Sequence, residues 1–385
     1  MRVLICDPSF NWAGGHHLSL NRALVAAFRR AGVETHLLAH RALDPALVAA
    51  LGATPFFETH PATGHSTDPL CDWLEDWFWN AEMLSGSLAR FPVRPDDVML
   101  WHSTCSRQLL AVAGFLAALP PAARPVTVML FGSNSGITAD GPSRVSVMLR
   151  FAVRRLPADA PVLFAAQDTA PARSAGVALD RSVMVFPCPY DGEVRLRTAC
   201  RRIGFLGHQR VEKGIDHLVA LTQGLRAADR DLDVVVHDSG PDLEQSGAAA
   251  RLRALGAVVE TGSVTPDRWR ELLNSCDILM APYDPASGAA NHSAIVTEAV
   301  AWAIPAVVPG NTGVADFMAQ WGGGYESFTG WTAPAILGAI DRLRAGFPLQ
   351  ARHSLAAAER WRDTQGTDRF AQTVLDRAAA IARPG

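Results

Sequence analysis

Short apolar runs and amphipathic stretches alternate along the whole chain. The runs "RVLICD" (2–7), "ETHLLAH" (34–40), "DVMLWHS" (97–103), "PVTVMLFGS" (125–133) and "PVLFAAQ" (161–167) have the length and composition of buried strands. Between them the periodicity turns helical. In "HLSLNRALVAAFRRAG" (17–32), Leu18, Leu24, Val25 and Phe28 recur on one face, arginines fill the last turns and Gly32 ends the helix. "SVMVFPCPY" (182–190) closes this series, and Pro187 and Pro189 mark a linker.

A second series follows. Strands are expected at "RIGFLG" (202–207), "LDVVVHDSG" (232–240), "AVVETG" (257–262), "DILMAPY" (277–283) and "PAVVPG" (305–310). The intervening helices are 214–228, 242–256, 266–276 and 293–303. Strands alternating with helices of this length make parallel sheets with crossover connections. The pattern predicts an α/β protein of two Rossmann-like, doubly wound parallel-sheet domains facing across a cleft. Ligands of such domains bind at the carboxyl ends of the strands. The expected division is 1–188 and 189–365, with a C-terminal helix (366–385) crossing back onto the first domain.

A chain of 385 residues suits two domains, and 49% hydrophobic with 19% charged residues is a globular composition. A net charge of −3 lacks the basic excess of a nucleic-acid binder. Six cysteines without CxxC spacing read as reduced thiols, hence a cytoplasmic protein. The apolar run "LLAVAGFLAAL" (109–119) stops at Pro120, short of a membrane span. Membrane association at the surface stays open. The helix "PLCDWLEDWFWNAEML" (69–84) places Trp73, Trp77 and Leu84 on one face, as core, as an acceptor-binding surface or as a membrane-leaning one.

Of 35 lysine plus arginine residues, Lys213 is the only lysine. It stands in "GHQRVEKG", a loop between a strand and a helix, with Arg210 nearby. Such a loop offers backbone N–H groups and a helix N-terminus to an anion, and the two cations suit a diphosphate leaving group. Glu298 is the one charged residue of an apolar helix; a carboxylate a turn or so beyond a phosphate-binding N-terminus near Ser293 can hold vicinal hydroxyls, as on a ribose. Gly14 and Gly15 let the backbone approach a ligand after the first strand. His16 and His17 follow them, without metal-ligand spacing. His102, at a strand end, is a candidate polar contact or proton carrier. Asp231 and Asp233 precede their strand and are expected at the solvent edge opposite any metal-nucleotide site.

The second half resembles the GT-B glycosyltransferases of the family-4, glycogen-synthase-like type. "FLGHQRVEKGIDHL", "GSVTPDRWRELLNSCDILMAPY" and "TEAVAWAIPAVVPGNTG" carry the likeness over about residues 200 to 330, and "GGHHLSLNRALVAAFRRAGVETHLLAH" extends it more loosely. The resemblance implies a retaining, metal-independent hexosyltransferase-like enzyme without cofactor. Its donor would be a nucleotide sugar and its acceptor a glycan or lipid-linked hydroxyl, in cell-surface polysaccharide or glycoconjugate synthesis, with peripheral membrane contact. Lys213 would bind the donor diphosphate with Arg210, and His208 stands where the family has an arginine. Glu298 would bind ribose, Ser293 and Ala294 would offer N–H groups to the phosphates, and Gly14 and Gly15 would approach donor and acceptor. Two positions depart from the family pattern. Ala290 stands where a glutamate would contact the sugar, and Phe131 replaces a cleft histidine, for which His102 or His16 is a candidate substitute. A sugar-nucleotide epimerase, a phosphorylase and a non-catalytic nucleotide- or glycan-binding protein are the alternatives on this fold.

Overall fold

The computed structural model describes residues 1–12, 16–61, 72–132, 144–228, 232–287 and 293–382. The chain forms two compact units, Met1–Pro189 with Thr367–Gly385, and Tyr190–Gly366.

The first unit is built on seven strands: β1 (Arg2–Asp7), β2 (Glu34–His40), β3 (Ala53–Phe57), β4 (Val98–Trp101), β5 (Val126–Phe131), β6 (Val162–Ala166) and β7 (Met184–Val185). They lie in the order β3-β2-β1-β4-β5-β6-β7, all neighbours parallel. Every residue of β1 is buried, which is why it reads as an unbroken apolar run. Val3 and Ile5 join the core beneath the helices His16–Arg30 and Thr367–Ala382, while Leu4 and Cys6 join the core on the opposite face. The final helix supplies Phe370, Ala371, Val374 and Ala378 to the first of these cores, and the Phe370 ring meets Phe186 at 6.1 Å.

The second unit carries β8 (Arg202–Phe205), β9 (Asp233–Asp238), β10 (Val258–Thr261), β11 (Ile278–Met280), β12 (Ala306–Pro309) and β13 (Tyr325–Phe328). Their order is β10-β9-β8-β11-β12-β13, again parallel throughout. Both orders are doubly wound: from a central strand the chain runs outward one way, then returns and runs out the other. The carboxyl ends of the two strands at the reversal diverge and leave a crevice. In the first unit these strands are β1 and β4; in the second they are β8 and β11.

Some elements depart from expectation. Of the four edge strands, β3 and β13 are additions. The helix expected over 242–256 is two short helices, Asp242–Gln245 and Ala248–Ala254, divided at Gly247, whose φ of 69° is left-handed. Five cysteines are free thiols among the described residues. Among those residues no helix is long and apolar enough to cross a membrane.

Candidate functional site

In the second unit the crevice between β8 and β11 is lined by two loops. The first runs from Gly207 to Gly214 and ends in a single 3-10 turn, Val211–Lys213, before the helix Ile215–Ala228. Asp238, buried at the end of β9, organises it. Asp238 Oδ1 accepts from the N–H of Gln209 and of Gly240, and Oδ2 from that of Leu243, each at 2.9 Å. Gln209 in turn donates its side-chain amide to the carbonyl of His237 at 2.9 Å. Gly214 is required: its φ is 85°, and a Cβ there would lie 2.3 Å from the Pro282 carbonyl oxygen. The Asp284 N–H donates to the Glu212 carbonyl at 2.9 Å, which joins this loop to the one after β11.

Lys213 lies between the two loops, its ammonium 5.6 Å from the centre of the Tyr283 ring. It is half-buried, and no carboxylate among the described residues is within ion-pair distance. Burial lowers its pKa, and Arg210 lowers it further by repulsion. A cation that is desolvated but unpaired has an unmet electrostatic demand, which an arriving anion would satisfy. Arg210 differs: its guanidinium meets Glu212 at 3.0 Å.

The Tyr283 hydroxyl and the Ser293 hydroxyl are 2.8 Å apart and buried. Burial pushes the Tyr283 phenol up to about 12. Ser293 caps the helix Ala294–Ala301, its Oγ accepting from the Val296 N–H at 3.4 Å. The N–H groups of Ala294 and Ile295 at the start of this helix have no intrahelical acceptor. One turn on, Glu298 Oε1 accepts from the Trp269 indole at 2.8 Å. Desolvation raises the Glu298 carboxyl to about 7, against the opposing effect of that hydrogen bond. Trp269, on the helix Pro266–Ser275, packs edge-on against His237 at 5.4 Å. Loop cation, helix N-terminus and carboxylate thus stand around one crevice.

The first unit has a second constellation at its own point of reversal. Asp7, the last residue of β1, is buried, and its Oδ2 lies 2.8 Å from His17 Nδ1, 2.7 Å from Asn21 Nδ2 and 3.3 Å from His102 Nε2. Asn21 Oδ1 is 2.9 Å from His102 Nε2 and closes the network. Burial pulls the Asp7 pKa up, and the two histidines outweigh it and bring the carboxyl well below the usual range. Ligand-type atoms of Asp7, His17 and His102 lie within 4.8 Å of one another, close enough to take a metal ion. The separations are nevertheless those of hydrogen bonds, and Asn21 holds both ends.

No protein-family model matches the sequence, and no curated protein does. Solved structures match over its whole length. The Anabaena protein HepE, solved with UDP, has a TM-score of 0.64 at 14% identity, covering 99% of this chain and 100% of its own. A glycosyltransferase from Rickettsia africae has a TM-score of 0.67 at 11% identity, covering 100% and 99%. WaaG, a glycosyltransferase involved in lipopolysaccharide biosynthesis, has a TM-score of 0.58 at 14% identity, with 100% of both chains covered. The chain has the GT-B fold. At these identities the likeness is one of fold.

On this GT-B frame the expected residues fall in different places. Lys213, Arg210, Ser293, Ala294 and Glu298 come together at the crevice of the second unit. His208 sits in the same loop, but its ring pairs with Asp242 at 3.2 Å. His102 is in the first unit's constellation and is buried behind Asp7. Phe131 requires a correction as a cleft residue: it is 1% exposed, with its ring against Phe164 in the core. Asp233 begins β9 and pairs with Arg202 at 2.9 Å, at the end of the sheet away from the crevice. Trp77 and Leu84 are core residues, while Leu74, Phe78 and Trp79 on the same helix are exposed. Gly14, Gly15, Ala290, Asp231 and the side chains of His16 and Trp73 lie outside the described residues. Asp238, Tyr283, Trp269, Asp7 and Asn21 are brought to these places by the fold and are not among the residues expected from the sequence. Asp7, Asp238 and Tyr283 had a signal: each is a polar residue at or just past the carboxyl end of an apolar strand, where ligands of this fold bind.

Proposed function

We propose that the protein is a glycosyltransferase that moves a sugar from a nucleoside-diphosphate sugar to a hydroxyl acceptor. The observation that carries this is the half-buried, unpaired Lys213 at the reversal point of the second sheet, with Glu298 on the neighbouring helix. The diphosphate would lie against Lys213 and the N–H groups of Ala294 and Ile295, and the ribose hydroxyls would donate to Glu298. As the bond between the anomeric carbon and the diphosphate breaks, negative charge grows on the diphosphate. Lys213 and the helix N-terminus are already in place to stabilise it, so no solvent need reorganise. Arg210 adds charge once Glu212 is displaced or shared. These groups do the work a divalent ion does elsewhere, and we propose that transfer proceeds without one.

The acceptor we favour is a lipid-linked glycan in cell-surface glycoconjugate synthesis. The exposed Leu74, Phe78 and Trp79 support it as a surface for the apolar portion. The test is a panel of nucleoside-diphosphate sugars with glycan and glycolipid acceptors, with chelator present, scored for acceptor-dependent release of nucleoside diphosphate. Conversion of a sugar nucleotide with no acceptor would indicate an epimerase instead. Binding without turnover across the panel would indicate a protein that kept the fold and lost the reaction.

A further inference from the structure

We propose that Trp269 is a positioning residue for the ribose: its indole N–H orients the Glu298 carboxylate so that the second oxygen receives the sugar hydroxyls. The proposal rests on the transferase reading above, in which Glu298 meets the ribose.

The two residues come from different elements of the second unit. Trp269 stands on the helix Pro266–Ser275, which follows β10, and Glu298 on the helix Ala294–Ala301, which follows β11. On the latter helix Val296, Thr297, Ala299 and Val300 are buried, while Glu298 keeps part of its surface exposed, so a ligand can reach it. The indole N–H donates to Glu298 Oε1 at 2.8 Å. An indole N–H is a donor only, so it favours the ionised carboxylate over the acid. A carboxylate has about four lone-pair sites, and the indole fills one on Oε1. Oε2 has no hydrogen-bond partner among the described residues and is left for two vicinal hydroxyls.

Trp269 is itself held in place. Its backbone N–H donates to the Thr265 carbonyl at 2.9 Å, and its ring stands edge-on to His237 with centroids 5.4 Å apart. His237 Nε2 lies 3.0 Å from the Gly262 carbonyl and must donate to it. Its Nδ1 is then the bare nitrogen, buried without a partner. Burial lowers the His237 pKa, so the ring braces Trp269 without adding charge.

The charged and titratable groups around Glu298 leave the indole as its main support. The Tyr283 phenol is raised by burial and stays neutral, and Arg210 acts on it from the neighbouring loop. Arg197 donates to the Trp302 carbonyl at the far end of the helix, at 3.5 Å. Glu260 and Arg268, beside Trp269, pair with each other at 2.8 Å. β11 carries no charge, and the packed helices Gly313–Trp321 and Phe347–Thr364 bury no charged residue. Desolvation raises the Glu298 carboxyl to about 7, and the indole opposes that rise. Removing the indole therefore moves ionisation to higher pH, and ribose binding with it.

The experiment titrates a panel of nucleoside diphosphates and their 2′,3′-dideoxy counterparts into wild type, Trp269→Phe and Glu298→Gln across the range from mildly acidic to alkaline pH. Each pair of ligands shares base and diphosphate, so the ratio of affinities reports the ribose contact alone. In wild type at alkaline pH the ratio should be about tenfold or more, the worth of a charge-assisted hydrogen bond, and it should fall as Glu298 is protonated. In Trp269→Phe the same rise should come at higher pH, so that a deficit of about fivefold at neutral pH closes at alkaline pH. In Glu298→Gln the ratio should not vary with pH. Wild type offers a second readout: one of the 10 indole N–H resonances should titrate with a midpoint near 7, and that titration should be missing from Glu298→Gln.

A Trp269→Phe ratio with the wild-type pH dependence overturns the proposal. So does a deficit that is equal at every pH, which marks the ring as packing alone. If Trp269→Phe does not fold, the indole spectrum decides, and a spectrum in which no resonance follows Glu298 overturns the proposal. Absence of nucleoside-diphosphate binding to wild type sinks the transferase reading and this one with it. Binding that discriminates the ribose but ignores Trp269 sinks this one alone.

Discussion

Glu298 makes the stability of the second unit depend on pH. Desolvation raises its carboxyl from the ordinary 4.5 to about 7. At 1.36 kcal/mol per pKa unit, that shift corresponds to about 3 kcal/mol. The sign follows from linkage. A group whose folded pKa is raised contributes stability that is fully present below its unfolded pKa and lost as pH rises through the folded one. The loss therefore falls between about pH 4.5 and 7. Glu298→Gln removes the titration while keeping an oxygen for the Trp269 indole. The remaining groups titrate in both proteins and cancel in the comparison. Differential scanning calorimetry from pH 4.5 to 8 should show the wild type losing up to about 3 kcal/mol relative to Glu298→Gln, roughly 6–12 °C in the transition of a unit this size. Curves that run parallel across the range would refute the assignment of Glu298 as a desolvated, titrating carboxyl. The same property bears on ligands. Ribose hydroxyls donate to the ionised form, so nucleotide affinity should increase with pH, and binding near pH 6 should release a proton.

Other perturbations isolate other parts of the account. Lys213→Ala should reduce turnover by about 10²-fold or more while leaving the thermal transition unchanged or slightly higher, since it removes a desolvated, unpaired charge; steady-state kinetics and calorimetry check both. Gly214→Ala should destabilise the second unit by about 1–3 kcal/mol in urea unfolding, because the left-handed φ is strained for alanine and the Pro282 carbonyl occupies the space of its Cβ. Asp238→Ala should cost about 3 kcal/mol or more, because it leaves the buried N–H groups of Gln209 and Leu243 without their acceptor. Phe370→Ala should cost about 3–5 kcal/mol and act on the first unit, since the ring fills the core beneath β1 although it belongs to the last helix of the chain.

The doubly wound sheets were legible because their central strands are covered on both faces and so read as continuous apolar runs. Two of the edge strands, β3 and β13, were not. β3 is "ATPFF", with Thr54 and Pro55 exposed, and proline is tolerated at an edge where its missing N–H has no ladder to serve. β13, "YESF", buries fully only Phe328. The nucleotide side was legible in part because Lys213, Ser293 and Glu298 lie in local strand-to-helix connections whose chemistry shows in a few neighbouring residues. Trp269 acts through Glu298, about 30 residues away, and leaves no such local pattern. The first unit's constellation is harder still. Asp7 and His102 are 95 positions apart, and only the pairing of β1 with β4 brings their strand ends together. His17 is a partner of Asp7.

The central claim is that the second unit holds a nucleoside diphosphate through Lys213. Isothermal titration of a panel of nucleoside diphosphates and the matching monophosphates into wild type and Lys213→Ala tests it most directly. The account predicts that one diphosphate binds the wild type more tightly than its monophosphate, and that Lys213→Ala abolishes that difference while remaining folded. Equal affinity for mono- and diphosphate, or a preference for diphosphate that survives the substitution, would contradict it.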